Sequence, residues 1–488
     1  ELGAERVLAL TATATPAVVD DIRAGFGIAE ADAIVTGFYR RNLTLLTTPA
    51  PAADRDRMLI DRLRTRPPGS TIVYVTLQRT AYRIASLLAA AGLPARAYHA
   101  GMATEERDAV QEWWAGSPRN IVVATIAFGM GIDKADVRYV YHLNLPKGLE
   151  AYSQEIGRAG RDGEPSVCEL FACPDDVPTL ENFAFGDTPT REALDGLLAQ
   201  ILAHEPGEAF AVSEYDLSTR HDVRGLVLKT ILTYLELDGL LVQGTPFFAG
   251  YSLRPVSGSF EDVLAAFDPA RADFLRRLVE SGKTGRIWTH LDPDESAASL
   301  GEERSRIVAA LGHLEERGLV ELKAAEARQR FTLIRRPESL SELGDRLAER
   351  STTREQTEIS RIARVVSLVT HDGCQVNALV GYFGEEREGP CGHCTFCLSR
   401  APQALPEAAP LPAIDTLVDR RALASLQAAH PGALALPRQL ARFLCGLTSP
   451  ATSREKLTRD PLFGVLAEHR FAGVLEWCLE GAARQMHG

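Results

Sequence analysis

Short apolar runs alternate with amphipathic stretches through the first third of the chain. The strand-like runs lie at residues 71–75, 121–124, 139–142 and 166–171. The helix-like runs lie at residues 81–91 and 104–115. Apolar strands that are separated by helices are typical of a parallel sheet that is covered on both faces. The pattern therefore predicts an α/β domain over residues 35–187.

The pattern changes after residue 188, where a helix followed by two short strands occurs twice. The elements of the two copies are predicted at residues 226–235, 240–242 and 251–253, and at residues 307–314, 319–322 and 330–334. This order predicts two winged-helix-like units, residues 188–262 and 263–340. The alternative is a helical connector with a hairpin. A winged helix also serves protein contacts as often as DNA contacts, so the fold alone does not decide its role.

Four cysteines dominate residues 341–400. Cys374, Cys391, Cys394 and Cys397 form the pattern C-x16-C-x2-C-x2-C, with Gly392 inside the turn. Thiolates that are two residues apart can bind one ion from a tight turn, and four thiolates make a closed tetrahedral zinc site. The alternatives are four unrelated cysteines or an iron–sulfur cluster, which four cysteines can also hold. The pattern predicts a four-cysteine module that holds a structural Zn²⁺.

The last part of the chain is predicted to be a linker and a small helical domain. Residues 401–412 are rich in alanine and proline, which is typical of a linker. Residues 413–488 have helical periodicity that is interrupted by prolines. The predicted fold class is therefore multidomain, combining α/β and α+β parts: a parallel-sheet domain, a winged-helix-like region, a zinc module and a helical C-terminal domain.

Charge and composition limit the kinds of binding partner that we expect. The 488 residues carry a formal net charge of −12, so any contact with nucleic acid depends on local basic patches. Arg328 and Arg330 belong to such a patch around the second predicted hairpin. No apolar run approaches the roughly 20 residues of a membrane helix, so no membrane partner is expected. Clustered thiols indicate a reducing compartment and a cytoplasmic location.

Two arginines form the most informative local pattern. The segment QEIGRAGRDG begins at Gln154 and places Arg158 and Arg161 three residues apart, each directly preceded by a glycine. Three residues make almost one helical turn, so both guanidinium groups can reach the same side. Arginine matches phosphate oxygens bidentately, which suits the charge that develops on a transferring γ-phosphate. A solvated, charged helix end is the alternative for this segment taken alone.

The segment does not stand alone, because a series of other segments precedes it in a fixed order. These are ALTATA from Ala9, GFYRRNL from Gly37, TIVYVT from Thr71, YHAGM from Tyr98 and VVATIAFGMGIDK from Val122. With QEIGRAGRDG they resemble the later motifs of superfamily 2 helicases, specifically the RecQ family of DNA helicases. NALVGYFG and PCGHCTFCL, around the cysteines, resemble the zinc module of the same family.

The resemblance implies a role for each matching residue. Gln154, Arg158 and Arg161 would be catalytic, and Gly129, Asp133 and the two arginines would contact the nucleotide. Thr76 and Thr125 would hold the phosphates of one DNA strand, a contact that carries no sequence information.

The resemblance also implies domains and ligands. Residues 35–187 would be the second RecA-like domain, and residues 1–34 would be the end of the first. The sequence contains no GxxxxGK[ST] segment. ATP and Mg²⁺ would therefore need a phosphate-loop domain in addition to these residues.

Two functional hypotheses follow. The first is the C-terminal portion of an ATP-dependent 3′–5′ DNA helicase of RecQ type, which acts in DNA repair and recombination on single strands and duplex junctions near the bacterial nucleoid. The second is a non-catalytic DNA-binding or regulatory protein built on half a helicase. In the family the zinc module directly follows the second RecA-like domain, whereas here the winged-helix-like region comes first. We therefore assign no fork-opening residue by analogy with the family. The sequence does not indicate the oligomeric state.

Overall fold

The computed structural model describes residues 6–129 and 131–486, and the side chains up to residue 483. Residues 1–5 of the first predicted segment, Met130 of the FGMGIDK motif and the last two residues of the helical domain lie outside the described residues. The chain divides into two compact units. Unit 1 comprises residues 1–186, 352–448 and 458–488, and unit 2 comprises residues 187–351 and 449–457. None of the described helices combines the length and apolarity that crossing a membrane requires.

Unit 1 is built on a six-stranded sheet in which every neighbouring pair is parallel. The strands are β1 Leu43–Pro49, β2 Ser70–Tyr74, β3 Ala95–Tyr98, β4 Ile121–Ala124, β5 Val137–His142 and β6 Ser166–Ala172. Their order is β1-β6-β5-β2-β4-β3. The predicted parallel sheet is confirmed, although β1 and β3 were not among the predicted strands.

Helices connect these strands and cover both faces of the sheet. They are α2 Arg55–Thr65, α3 Gln78–Ala90, α4 Thr104–Ala115 and α5 Leu149–Ile156, whereas α1 Pro16–Phe26 precedes β1 and α6 Val177–Asp187 follows β6. Short 3-10 helices lie at Glu30–Asp32 and Pro174–Asp176. One buried cluster joins the sheet to α2 and α3, and a second joins it to α5 and to residues 362–397. Both faces of the sheet are therefore buried, which explains why its strands are almost continuously apolar.

Unit 2 holds α7 to α13 and a sheet of antiparallel strand pairs. The helices are α7 Arg191–Ile201, α8 Glu214–His221, α9 Gly225–Leu237, α10 Phe260–Leu264, α11 Pro269–Glu280, α12 Pro293–Leu300 and α13 Arg304–Glu316. The strands are β7 Ala209–Val212, β8 Leu241–Gln243, β9 Phe247–Pro255, β10 Lys283–Thr284, β11 Thr289–Leu291 and β12 Val320–Leu333.

The strand pairing of unit 2 corrects both predicted hairpins. The strands predicted at residues 240–242 and 251–253 correspond to β8 and β9, and both pair with β12 rather than with each other. The segments predicted as two strands at residues 319–322 and 330–334 belong to the single strand β12. Residues 256–319 therefore lie between the two long antiparallel strands β9 and β12. The predicted boundary at residues 262 and 263 falls inside α10.

The remaining helices follow β12. They are α14 Leu340–Val369, α15 Gln375–Tyr382, α16 Thr395–Ser399, α17 Ile414–Leu417, α18 Arg420–Ala429, α19 Pro431–Leu434, α20 Pro437–Leu444, α21 Pro450–Arg454 and α22 Phe471–Met486, with a 3-10 turn at Leu457–Arg459. The cysteine-containing segment belongs to unit 1, although residues 187–351 separate it from the sheet in sequence.

A buried carboxylate ties the edge of the sheet to α2. Glu169 on β6 is fully buried, and it accepts hydrogen bonds from Arg62 Nε at 3.0 Å, Arg66 Nη2 at 2.6 Å and Thr48 Oγ1 at 2.8 Å. A buried charge is tolerated only where such partners replace water. This cluster therefore fixes α2 against β1 and β6.

We expect Glu169→Ala to destabilise unit 1 strongly, because it leaves Arg66 without its carboxylate partner. Breaking a buried pair lowers the free energy of unfolding by about 3 kcal/mol or more. Arg57→Ala on the same helix removes only an exposed pair with Asp54 and should change little. Urea denaturation followed by circular dichroism tests this, and equal midpoints for the two variants would contradict it.

Candidate functional site

The two predicted arginines follow directly after helix α5. The chain turns at Gly157 and again at Gly160, whose φ is +55°. A Cβ at Gly160 would lie 2.4 Å from Asn42 Nδ2 and 2.8 Å from Glu164 O, so only glycine fits this turn. The turn brings Arg158 and Arg161 to one cavity of about 430 Å³, as their spacing predicts.

Arg158 is half-buried and packs on the backbone of the Gly129 loop. Its Nη1 donates to Gly129 O, and its Nε is buried without a hydrogen-bond partner among the described residues. A Cβ at Gly129 would lie 2.3 Å from Arg158 Nη2. Gly129 does not line the cavity itself. Because it has no side chain, the Arg158 guanidinium can pack against its backbone.

Arg161 and Gln154 reach the same cavity from either side of Arg158. Arg161 Nη1 donates to Ile132 O at 3.1 Å and to Asp133 Oδ1 at 3.0 Å, and the Asp133 side chain is 92% exposed. Gln154 Nε2 donates to Thr13 Oγ1 at 2.7 Å, and Thr13 also lines the cavity. The structure therefore places Asp133 as the partner of Arg161, outside the cavity wall.

A second cavity of about 740 Å³ lies where strands β2, β4 and β5 end, and we call it the groove. Thr76 and Thr125 follow β2 and β4 and both line it. The exposed Arg79 and Lys147 lie at the same cavity. Parallel strands end at one edge of a sheet, where open α/β sheets bind ligands. The structure therefore brings the two predicted threonines together beside two cations.

An anchored amide fixes one wall of the groove. Asn144 Oδ1 accepts from the Thr76 backbone N–H at 3.2 Å, and Asn144 Nδ2 donates to Asp176 Oδ1 at 2.8 Å. Asp176 is buried and also pairs with Arg55 at 2.7 Å. The loop that carries Thr76 is thus held by a chain of hydrogen bonds that ends in a buried ion pair.

His142 and Glu155 form a buried pair that the sequence motifs did not single out. His142 Nε2 and Glu155 Oε2 are 2.7 Å apart, and both residues line the groove. The Tyr74 ring stacks on His142 with centroids 5.3 Å apart. Burial raises the pKa of the Tyr74 hydroxyl, and the nearby Arg158 guanidinium opposes that shift. Glu155 lies inside the arginine motif, which was the one sequence signal available for this pair.

The four predicted cysteines converge. The Sγ atoms of Cys374, Cys391, Cys394 and Cys397 all lie within 4.8 Å of one another, and Cys391 Sγ and Cys397 Sγ are 3.8 Å apart. Tetrahedral zinc with Zn–S bonds near 2.3 Å would hold its sulfurs roughly 3.8 Å apart. Burial raises the pKa of the Cys391 and Cys397 thiols, so a cation is needed to keep these two as thiolates. The donor set fits a structural Zn²⁺.

The cysteine segment packs on the outer edge of β1. Leu45 and Cys394 form a parallel β-bridge, and the Thr47 N–H donates to Thr395 Oγ1 at 2.8 Å. Helix α15 begins directly after Cys374, and its residues 376, 379 and 380 line the arginine cavity with apolar side chains. The metal-binding segment therefore supplies part of the apolar wall of that cavity.

The other two predicted DNA contacts lie in unit 2. Arg328 pairs with Asp216 and Glu326, each at 3.1 Å. Arg330 lies over the Phe247 ring at 5.0 Å from its centroid. Both arginines are on β12, and the carboxylates beside Arg328 neutralise part of the predicted basic patch.

We expect about one Zn²⁺ per chain, bound by the four cysteines. Cys391→Ala should lose the metal and lower stability, because the binding free energy of a structural zinc contributes to folding. Cys445→Ala is the matched control, since Cys445 is buried outside the cluster and its loss should leave the metal content unchanged. Elemental analysis with thermal denaturation tests both variants. Iron, or a folded protein without metal, would contradict the assignment.

Two family models match the chain. Residues 54–163 match the helicase conserved C-terminal domain, and residues 328–398 match the RecQ zinc-binding model. The first match includes the groove threonines and both arginines, and the second includes the four cysteines. The matches thus include the predicted arginines, threonines and cysteines, whereas the cavity-lining residues between 12 and 45 lie outside them.

Named relatives point the same way. The RecQ-like DNA helicase blm-1 of Caenorhabditis elegans is 40% identical over 185 residues, which are 38% of this chain and 19% of that protein. The ATP-dependent DNA helicase RecQ of Bacillus subtilis is 40% identical over 171 residues, 35% of this chain and 29% of its own length. The ATP-dependent DNA helicase Q-like 5 of Arabidopsis thaliana is 28% identical over 370 residues, 74% of this chain and 40% of that protein.

The chain therefore spans less than half the length of these relatives. Among solved structures, S. cerevisiae Dbp5 bound to RNA and ADP BeF3 aligns with 33% of this chain and 44% of that chain, at 23% identity and a TM-score of 0.30. The order of the arginine segment and the cysteine cluster, the two family models and the curated relatives agree with one another. The segments that carry the arginines and the cysteines are therefore similar to the helicase and zinc-binding regions of RecQ-type superfamily 2 helicases.

Proposed function

We propose that this chain is part of an ATP-dependent 3′–5′ DNA helicase of RecQ type, which unwinds DNA in repair and recombination. The observation that carries the proposal is the convergence of Arg158 and Arg161 on one cavity, where the described residues leave the Arg158 Nε unpartnered. The named relatives are DNA helicases, two of them ATP-dependent by name. We propose single strands and duplex junctions of the nucleoid, in a reducing cytoplasm, as the DNA partners.

The arginines supply charge to a phosphoryl group that another domain holds. Phosphoryl transfer depends on positioning and on neutralising the charge of the γ-phosphate, with Mg²⁺ bridging the phosphate oxygens. Arg158 is pre-positioned by Gly129 O, and Arg161, which also donates to Ile132 O, would exchange its exposed Asp133 contact for the phosphate. A phosphate-loop domain would hold ATP and Mg²⁺ against this cavity, and Gln154 would orient groups at its rim.

The groove supplies the track for one DNA strand. Thr76 and Thr125 bring hydroxyls to the groove at adjacent strand ends, and Arg79 and Lys147 add exposed positive charge. Contacts of this kind bind the sugar–phosphate backbone and leave the base sequence unread. Such a site suits an enzyme that moves along DNA of any sequence.

Removing either arginine should abolish hydrolysis and spare DNA binding. In a protein that joins this chain to a phosphate-loop domain, Arg161→Ala and Arg158→Ala should each lower the ATP hydrolysis rate by about 10³-fold or more. Arg119→Ala is the control, because Arg119 is exposed in the same sheet domain and lines neither cavity. Parental rates in both cavity variants, measured by phosphate release, would refute the arginine assignment.

The 488-residue chain by itself should bind single-stranded DNA and hydrolyse no ATP. The printed sequence lacks the GxxxxGK[ST] loop that holds the phosphates. Binding should be mostly electrostatic and should weaken steeply between about 50 and 200 mM salt. Lys147→Ala should lower the slope of log affinity against log salt by about 1, whereas Arg119→Ala should not.

Fluorescence anisotropy with a salt series and a DNA-stimulated ATPase assay test these expectations. ATP turnover by the purified chain would mean that a phosphate site exists elsewhere in these residues. Equal salt slopes for Lys147→Ala and the parent would remove the groove as the DNA track.

A further inference from the structure

The groove and the arginine cavity lie on two sides of helix α5. Glu155 lines the groove, whereas its neighbour Gln154 lines the arginine cavity together with Arg158. Successive residues of an α-helix project about 100° apart, so adjacent positions can serve different cavities. One short helix therefore separates the proposed DNA track from the proposed nucleotide contact.

A buried hydrogen bond connects the groove wall to this helix. His142 ends β5 with 1% exposure, and its Nε2 lies 2.7 Å from Glu155 Oε2. The second ring nitrogen, Nδ1, is buried without a hydrogen-bond partner among the described residues. An unpartnered buried nitrogen at a cavity wall is available to a ligand group or a water in that cavity. Glu155 lies three residues before Arg158, within the same turn of chain.

A second connection runs through the loops that follow the strands. The Phe128 N–H donates to Thr125 O at 3.0 Å, and the Tyr74 hydroxyl donates to Phe128 O at 3.1 Å. The next residue, Gly129, accepts the Arg158 Nη1 hydrogen bond. Since Tyr74 also stacks on His142, both connections meet in one buried layer.

We propose that His142, Glu155 and Tyr74 are positioning residues that transmit occupancy of the groove by a phosphodiester strand to Arg158 and Arg161. The proposal rests on the proposed function, because it takes the groove as the DNA track. The layer is suited to this role because hydrogen bonds in a dry interior are strong and mutually polarising. A close-packed interior also transmits strain between the groups that it contains.

The test uses the 488-residue chain and a single-stranded oligodeoxythymidine that is long enough to fill the groove. Hydrogen–deuterium exchange is followed in a groove segment, residues 74–79, and in the arginine segment, residues 154–162, with and without the oligonucleotide. Each variant is measured at a concentration that anisotropy shows to be saturating, so that a change in affinity does not mimic a loss of transmission.

The main variant is His142→Phe with Glu155→Leu. It removes both partners together, which avoids an unpaired buried group, and the phenylalanine keeps a ring beside Tyr74. Glu155→Gln is the conservative variant, since it retains an oxygen that can accept from His142. Tyr152→Phe is the matched control, because Tyr152 lies in the same buried layer against His142 but belongs to neither connection.

In the parent chain we expect the oligonucleotide to slow exchange by at least about fivefold in both segments, as ordering of a local unit does. The double variant should keep the effect in residues 74–79 and lose it in residues 154–162. Glu155→Gln and Tyr152→Phe should respond like the parent. Tyr74→Phe removes only the hydroxyl that donates to Phe128 O, and it should weaken the response of the arginine segment. This variant provides the test if the double variant does not fold.

Three results would overturn the proposal. Protection of residues 154–162 that survives in both the double variant and Tyr74→Phe would show that the layer transmits nothing. Binding that protects only the groove segment of the parent would exclude transmission while leaving the DNA track intact. If the parent chain does not bind the oligonucleotide at low salt, the groove is not a DNA track, and the proposed transmission fails with it.

Discussion

The outer edge of strand β1 is the constraint on which the rest of unit 1 depends. On one side β1 pairs with β6 over its whole length, and on the other it meets Cys394 and Thr395 of the metal-binding segment. An uncovered edge strand offers unpaired backbone groups to other chains. The metal-binding segment covers part of this edge. It also positions α15, whose Tyr382 hydroxyl donates to Glu150 on α5 at 2.7 Å. Metal-binding segment, sheet and arginine turn are thus parts of one packed assembly.

That packing explains how residues 187–351 can interrupt the sequence without displacing the cysteine segment from the sheet. The entropy of closing a loop grows only with the logarithm of its length, so a long insertion adds little to the free energy of joining its ends. Unit 2 contains its own two buried clusters, one around α7 to α9 and one around α11 to α13. The second cluster lies between β9 and β12 along the chain, so it is itself an insertion into a pair of strands.

The sequence was most informative where the structure depends on local spacing. Four strands of the parallel sheet were recognisable because both of its faces are buried, and the arginine turn and the cysteine cluster follow from distances along the chain. Pairing between distant segments was not recognisable. β8 and β9 follow each other closely in sequence, as the two strands of a hairpin do. Both nevertheless pair with the far more distant β12, and no local spacing indicates that partner. His142 and Glu155 are separated by a loop and meet only through the fold.

Gly129 shows why residue roles are harder to predict than residue positions. The glycine was expected to contact a nucleotide, and the structure uses its absence of a side chain to admit Arg158. At the proposed nucleotide site, a guanidinium held on one face by a carbonyl would have fewer rotamers to lose on binding a phosphate, so its charge would already be in place. Arg161 is also held by a carbonyl, that of Ile132, but its second partner is the exposed Asp133, which it would exchange for a phosphate at the proposed site. The two arginines of one motif therefore differ in preorganisation, and that difference arises from the loop beneath them and not from their own spacing.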